Sequence, residues 1–323
     1  MSGKKPLFAG LDLGGNHVKV GIGAGETSEL VWDAVLPSGV ADGREGILRA
    51  LVVAAESAAC AVESRGAVLA GIALGSPGVV DRRTGRIRYE VANLPDFKGV
   101  DLGGTLRGAV GVPAVVDNDA NVAALAEALF GAGRGHDTVV MATVGTGIGG
   151  GAVIDGRLVR GDNGAGMELG HIPFDERGPL CGCGRRGCLE AHVGGRALRR
   201  EWIERLGSDA REGDALTLRD LIDAASSGDA TALAVLDDGA DRLGVGLTAA
   251  LHLLNPSALI IGGGVVDGFP RFFDRTEASL RARALDKALD GLVVRRAEFG
   301  NRAGVIGAIA LAARESAPNG ASR

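Results

Sequence analysis

The chain has 323 residues, 46% hydrophobic and 23% charged, enough to bury a sizeable core and long enough for two domains. A net charge of -5, a pI near 5.6 and 3% aromatic residues leave no basic footprint and few stacking surfaces, so nucleic acid is not an expected partner. No apolar run approaches the roughly 18 residues of a membrane span, and the N-terminus MSGKKPLFAGLDLGG lacks a long apolar segment ending in a cleavage site, so a cytoplasmic protein without a membrane partner is expected.

Residues 7–11 read as a strand that runs into Gly14 and Gly15 and out into a second strand. The alanine- and leucine-rich stretch 46–63 reads as a helix, with Cys60 expected in its buried face. AVVDNDANVAA is turn-like and leads into a helix from about Asn121. Residues 138–144 form a further strand that ends in Gly145, Thr146, Gly147 and Gly149 to Gly151. Residues 258–261 form a buried strand ending at Gly262, Gly263 and Gly264. A short apolar helix at 303–314 is expected to fold back on the first lobe, and the tail SAPNGASR to be disordered. Alternating strands and helices define an α/β protein.

FAGLDLGGNHVKVGI resembles VVMATVGTGIGGGAVI, a weak internal repeat in which an apolar strand enters a glycine-rich turn and leaves as a second strand. Glycine lets successive backbone amides point into a turn and cradle phosphate oxygens. Gly14, Gly15 and Asn16 would do this in the first hairpin, Gly145, Thr146 and Gly147 in the second. Asp12, just ahead of the first pair, would hold Mg2+ through water. Gly262, Gly263 and Gly264 would let an adenosine approach the backbone. No GxxxxGK[ST] loop is present.

His171, Cys181, Cys183 and Cys188 make a Cys3His set with the ligand types of a closed, tetrahedral structural Zn2+ site. Three clustered cysteines and one distant one do not form a disulfide framework. The remaining histidines, His17, His136, His192 and His252, have no such company in sequence and read as structural or exposed.

The motifs DLGG, GSPGVVD, DNDAN, GTGIGGG, ELGH and CGCGRRGCLE follow one another in this order across nearly the whole chain, which therefore resembles the ROK family (repressor, open reading frame, kinase), and its sugar kinases in particular. The resemblance implies an actin-like ATPase (ribonuclease H-like) fold of two lobes around a cleft. The small lobe would hold residues 1–118 and about 303–323, and the large lobe 119–302 with the zinc loop. It implies sugar and ATP as substrates and phosphoryl transfer to the 6-hydroxyl of glucose, with Asp119 as catalytic base. The same residue set would serve a kinase of N-acetylmannosamine, N-acetylglucosamine, fructose or allose. Asn93, Asn118, Asp119, Glu168, His171 and Glu190 would bind the sugar, and Ser76, Pro77 and Gly78 would wall the ring. The zinc would order the loop carrying Glu190 and hold one ring nitrogen of His171, leaving the other for the sugar. Asn16 departs from the family's usual threonine. A sugar-responsive regulator would carry a helix-turn-helix domain ahead of DLGG, for which Asp12 leaves no room, and polyphosphate as donor is not expected with this cysteine cluster. Relatives are commonly dimers or tetramers, so a homo-oligomer is expected.

Overall fold

The computed structural model describes residues 4–89, 91, 94, 96–207 and 216–316. Asn93 and residues 317–323 of the tail lie outside the described residues. The chain divides into two compact units. Unit 1 takes the described residues of 1–134, 156–166 and 301–323, and unit 2 those of 135–155 and 167–300.

In unit 1, β1 (Pro6–Leu13), β2 (His17–Gly23) and β3 (Trp32–Pro37) form an antiparallel meander. Helix α1 (Gly43–Glu63) then crosses to β4 (Val68–Ser76), which pairs parallel with β1. A two-residue ribbon, β5 (Val80–Asp81) and β6 (Arg86–Ile87), precedes α2 (Leu102–Val110). Strand β7 (Ala114–Asn118) pairs parallel with β4, giving the order β3-β2-β1-β4-β7, and feeds directly into α3 (Asp119–Phe130). Leu11, Leu13, Ile22, Leu51, Ile72 and Leu74 are fully buried in its core.

The buried positions of α1, among them Ile47, Leu51, Ala54, Ala58 and Val62, recur every three or four residues and define one apolar stripe. Cys60 falls off that stripe and is exposed, which corrects its expected burial. Composition gave α1 its helix, but only the phase of the helix decides which apolar residues turn inward.

Unit 2 repeats the opening of unit 1. Strands β8 (Thr138–Val144) and β9 (Ile148–Ile154) form an antiparallel hairpin. The short helix α4 (Leu189–Val193), α5 (Gly195–Leu206), α6 (Leu218–Ser226) and α7 (Ala230–Leu254) lead to β10 (Ala258–Gly262), which pairs parallel with β8. Helices α8 (Gly264–Gly268), α9 (Pro270–Arg281) and α10 (Asp286–Leu289) precede β11 (Val293–Arg296), parallel to β10. The strands of unit 2 thus run in the order β9-β8-β10-β11.

The last helix, α11 (Ala303–Glu315), returns to unit 1 and is buried continuously from Ala303 to Ala312. It lies on β1, where Gly10 has no room for a side chain against Val305 and Ile309, and on α3, where Gly307 meets the Val122 carbonyl. These contacts hold α3 in unit 1, whereas the sequence reading opened the second lobe with that helix.

Candidate functional site

The turn between β1 and β2 is closed by the Gly14 N–H, which donates to the His17 carbonyl at 2.9 Å. Buried Ser38 supports it from below: its hydroxyl donates to the Gly15 carbonyl at 2.9 Å and its N–H to the Asn16 carbonyl at 3.0 Å. Gly14, Gly15 and Asn16 are all exposed, and nothing lies within 4 Å of a Cβ added at Gly15. Neither glycine has a left-handed backbone, so here glycine supplies clearance and not conformational reach.

Asp12 faces Lys19 across the hairpin, and Lys19 Nζ donates to Asp12 Oδ2 at 3.2 Å and to the Asn301 carbonyl at 3.0 Å. The Asp12 carboxylate rests on the first turn of α11, because a Cβ at Gly304 would fall 2.5 Å from its carboxyl carbon. A helix N-terminus favours such a charge. The sequence singles out Asp12 but not Lys19 or Ser38, whose contacts with the turn depend on cross-strand register and on a loop over twenty residues away.

The DNDAN turn joins β7 to α3. Asn118 is the helix N-cap: its Oδ1 accepts the Ala120 and Asn121 N–H groups at 2.9 and 3.2 Å, and its Nδ2 donates to the Gly78 carbonyl at 3.3 Å. The amide still has one N–H for another partner. Asp117 is buried; one oxygen accepts the Asn118 N–H at 2.8 Å and Asn121 Nδ2 at 3.0 Å, and the other accepts Arg160 Nε. Asp119 is the first residue of α3, half-buried, with its Oδ1 on the Ala120 N–H at 2.8 Å and its Cα 3.5 Å from a Cβ added at Gly75. Beside it, Ser76 pairs in register with Asn118 and is fully buried, while Gly78 takes a left-handed φ of 90°. A Cβ at Gly78 would fall 2.6 Å from Val91, so this turn demands glycine twice over.

In unit 2 the corresponding turn is closed by the Gly145 N–H on the Gly147 carbonyl at 3.0 Å. The start of α5 seals its outer side: the Gly195 and Arg196 N–H groups donate to the Gly145 and Thr146 carbonyls at 2.9 and 3.2 Å. A Cβ at Gly145 meets nothing within 4 Å, whereas at Gly147 it would collide with the Glu190 carboxylate. Glu190 Oε2 accepts the Ile148 N–H at 2.9 Å, and its Oε1 lies 3.8 Å from Cys181 Sγ. One carboxylate therefore joins the glycine turn to the cysteine loop. In the third glycine cluster, Gly263 has φ 99° and would clash with the Val144 backbone, Gly262 abuts Ala297, and Gly264 at the start of α8 is open. Only Gly264 offers an unobstructed backbone there.

ELGH forms a 3-10 turn, Leu169–His171, entered from Glu168, so the two polar residues share one face as their spacing implies. His171 Nδ1 lies 3.7 Å from Cys181 Sγ, and its Nε2 lies 4.0 Å from Glu168 Oε2. Burial pushes the Glu168 carboxyl above its ordinary value, against the pull of His171 and with the repulsion of Glu190. The donor atoms of His171, Cys181, Cys183 and Cys188 all lie within 4.8 Å of one another, and Cys183 and Cys188 Sγ are 3.6 Å apart. Donors about 2.3 Å from a tetrahedral centre stand about 3.8 Å from one another, whereas a disulfide would bring sulfurs to about 2.05 Å. The set fits a metal and not a disulfide. The loop is held shut by the Cys181 N–H on the Arg185 carbonyl at 2.7 Å and the Gly184 N–H on the Cys181 carbonyl at 2.9 Å.

Duplicated units that open with a glycine-turned hairpin and continue in parallel strands define an actin-like ATPase fold. The family model of the ROK family matches residues 8–315, and the chain belongs to that family. It is 38% identical over 272 residues to a glucokinase of Thermotoga maritima, covering 81% of this chain and 83% of the relative. Among solved structures it is similar to a ROK family glucokinase from Streptomyces griseus in complex with glucose and AMPPNP, at 33% identity and TM-score 0.82 over 95% of this chain and 99% of that one. It is also similar to a ROK family transcriptional regulator, at 26% identity and TM-score 0.83, covering 97% of this chain and 78% of that one.

Proposed function

We propose that the chain is an ATP-dependent glucokinase, transferring the γ-phosphoryl group of ATP to the 6-hydroxyl of glucose. The observation that carries this is Glu190, whose carboxylate binds the amide after the Gly145–Gly147 turn and borders the Cys3His cluster, putting a hydroxyl acceptor beside a phosphate cradle within unit 2. The likeness to curated glucokinases and to a structure holding glucose and AMPPNP supports the same reading.

Asp119 takes the proton of the 6-hydroxyl as the oxygen attacks the γ-phosphorus and the bond to the bridging oxygen of ADP breaks. Asn118 is the N-cap of α3, while Asp119 engages the helix start through one carboxylate oxygen on the Ala120 N–H. Ser76, Pro77, Gly78, Asn93, Asn118, Glu168, His171 and Glu190 contact the sugar. Gly14, Gly15, Asn16, Gly145, Thr146 and Gly147 present amides to the phosphates, and Gly264, with Gly262 and Gly263 shaping the turn, receives the adenosine. Magnesium bound with ATP supplies charge neutralisation, and Asp12 would hold it through water in competition with Lys19. His171, Cys181, Cys183 and Cys188 would hold a structural zinc. A cytoplasmic homo-oligomer, dimer or tetramer, completes the reading and is checked by light scattering.

The test is an ADP-release assay with ATP over glucose, N-acetylmannosamine, N-acetylglucosamine, fructose and allose, with polyphosphate as an alternative donor. Glucose should give the highest kcat/KM. Preference for another sugar replaces the substrate, and no ADP release with any sugar removes the kinase reading.

A further inference from the structure

Arg160 lies in the stretch 156–166 that belongs to unit 1. Its Nε donates to Asp117 Oδ2 and its Nη2 to Glu315 Oε1 at 2.8 Å. The three side chains retain only 14%, 7% and 25% of their exposure, respectively. Burial disfavours the charged guanidinium, but Asp117 and Glu315 outweigh it and hold the group above its ordinary value. The backbone of Arg160 is fixed as well: its carbonyl accepts the Gly166 N–H at 2.8 Å, and a Cβ at Gly166 would fall 2.7 Å from the Arg160 carbonyl carbon.

A buried ion pair is weak evidence for stability, because desolvation offsets most of its attraction. Its partner here has a second task. The Asp117 oxygen that does not face Arg160 receives the Asn118 N–H and Asn121 Nδ2, the residues on either side of the Asp119–Ala120 step. One guanidinium thus orients the carboxylate that fixes both flanks of the first turn of α3.

We propose that Arg160 is a positioning residue for the phosphoryl transfer, acting through Asp117 to set the height and direction of Asp119. This rests on the reading of Asp119 as the base. Asp119 begins a helix whose first turn has few backbone bonds of its own, so side-chain anchors decide where its carboxylate stands. Arginine suits the task because two different nitrogens of one planar group reach two carboxylates, which a lysine ammonium cannot reproduce in the same geometry.

The experiment measures kcat, both KM values and thermal midpoint for Arg160→Gln, Arg160→Lys, Asp117→Asn, the double variant Arg160→Gln/Asp117→Asn, and Asp119→Asn. Displacing a reacting group by an ångström costs on the order of 10²-fold, so Arg160→Gln should lower kcat by that factor while the KM for ATP stays within about twofold. Arg160→Lys keeps the buried charge paired and should regain stability while recovering only part of kcat. The double variant removes both buried charges and should recover thermal stability, yet its kcat should remain as low as that of either single variant. A stable double variant, or stable Arg160→Gln protein, with kcat within about threefold of wild type overturns the positioning role. Asp119→Asn separates the two ideas: if it retains more than about a tenth of wild-type kcat, the base assignment fails, whatever Arg160 does.

Discussion

The Glu190 carboxylate and the Cα of Gly147 occupy adjoining space, so that any side chain at 147 would displace the oxygen that accepts the Ile148 amide. The proposed phosphate turn and a proposed sugar ligand are mechanically one object in unit 2. Gly147→Val should therefore raise the KM for glucose as well as that for ATP. Gly145→Ala, whose Cβ meets nothing within 4 Å, should act on ATP alone. Steady-state titration of both substrates decides this; a Gly147→Val enzyme with unaltered glucose KM would show that Glu190 accommodates the intrusion.

Removal of the Asp119 carboxylate should lower kcat by at least about 10², the usual worth of a general base, with glucose binding and thermal midpoint little changed. The neighbouring Asn118→Ala should behave differently. It deletes the cap of α3, its bond to the Gly78 carbonyl and a proposed sugar contact, so it should lose roughly 1 kcal/mol of stability and raise the glucose KM while changing kcat less than loss of the Asp119 carboxylate does. Comparing the two variants by calorimetry and kinetics separates helix capping from chemistry.

The Cys3His cluster should carry one zinc per chain through purification, read by elemental analysis. Cys183→Ala should lose metal, thermal stability and glucose affinity together, since Glu190 follows Cys188 by one intervening residue and touches Cys181. Zinc loss with unchanged glucose affinity would sever the metal from the sugar. Burial and its neighbouring thiols push the Cys188 thiol up to about 12, and burial also raises Cys181. Ligation must expel those protons, so metal affinity should rise with pH and zinc should be lost on acidification.

Acid should also loosen unit 2 through the seam between α7 and α9. Asp237 accepts Arg271 Nε and Nη2 at 2.9 and 2.6 Å and Arg275 Nη1 at 3.1 Å, and the Arg271 hydrogen bonds hold its carboxyl below its ordinary value. A folded value below the unfolded value of about 3.9 means the pair stabilises above that pH and fades as pH falls through the folded value. Asp237→Asn should thus lower the thermal midpoint near neutral pH and converge on wild type in strong acid. Parallel curves at all pH values would deny the pair this role.

Much of the site was legible because its residues are close in sequence. Glycine pairs after apolar strands marked both turns, and the spacing of His171, Cys181, Cys183 and Cys188 marked the Cys3His cluster. What escaped were partnerships over long separations. Arg160 meets Asp117 across 43 residues and Glu190 meets Ile148 across 42, and neither distance leaves a periodic trace. Cys60 was misplaced for another reason: an apolar helical run such as LVVAAESAACAV does not reveal its own rotation, which packing of Leu51 and Ala58 on the sheet decides. The glycine turns fall where the sequence puts them, but none of Gly14, Gly15, Gly145 and Gly147 has a left-handed φ, and an added Cβ meets nothing within 4 Å at Gly15 or Gly145 while it collides with the Glu190 carboxylate at Gly147, distinctions that the sequence does not draw.

Helix α11 gives unit 1 an unusual folding calendar. Strand β1 leaves the ribosome well ahead of the helix that covers Gly10 and supports Asp12, which is encoded by residues 303–315. At a synthesis rate of roughly 5–20 residues per second, β1 waits roughly 15 to 60 seconds for its cover. Nearly all of unit 2 is completed during that interval, so the later half of the protein can mature before the earlier one. A chain cut short just before Ala303 would carry every motif proposed for binding and catalysis and still leave the carboxylate of Asp12 without the helix end it rests on.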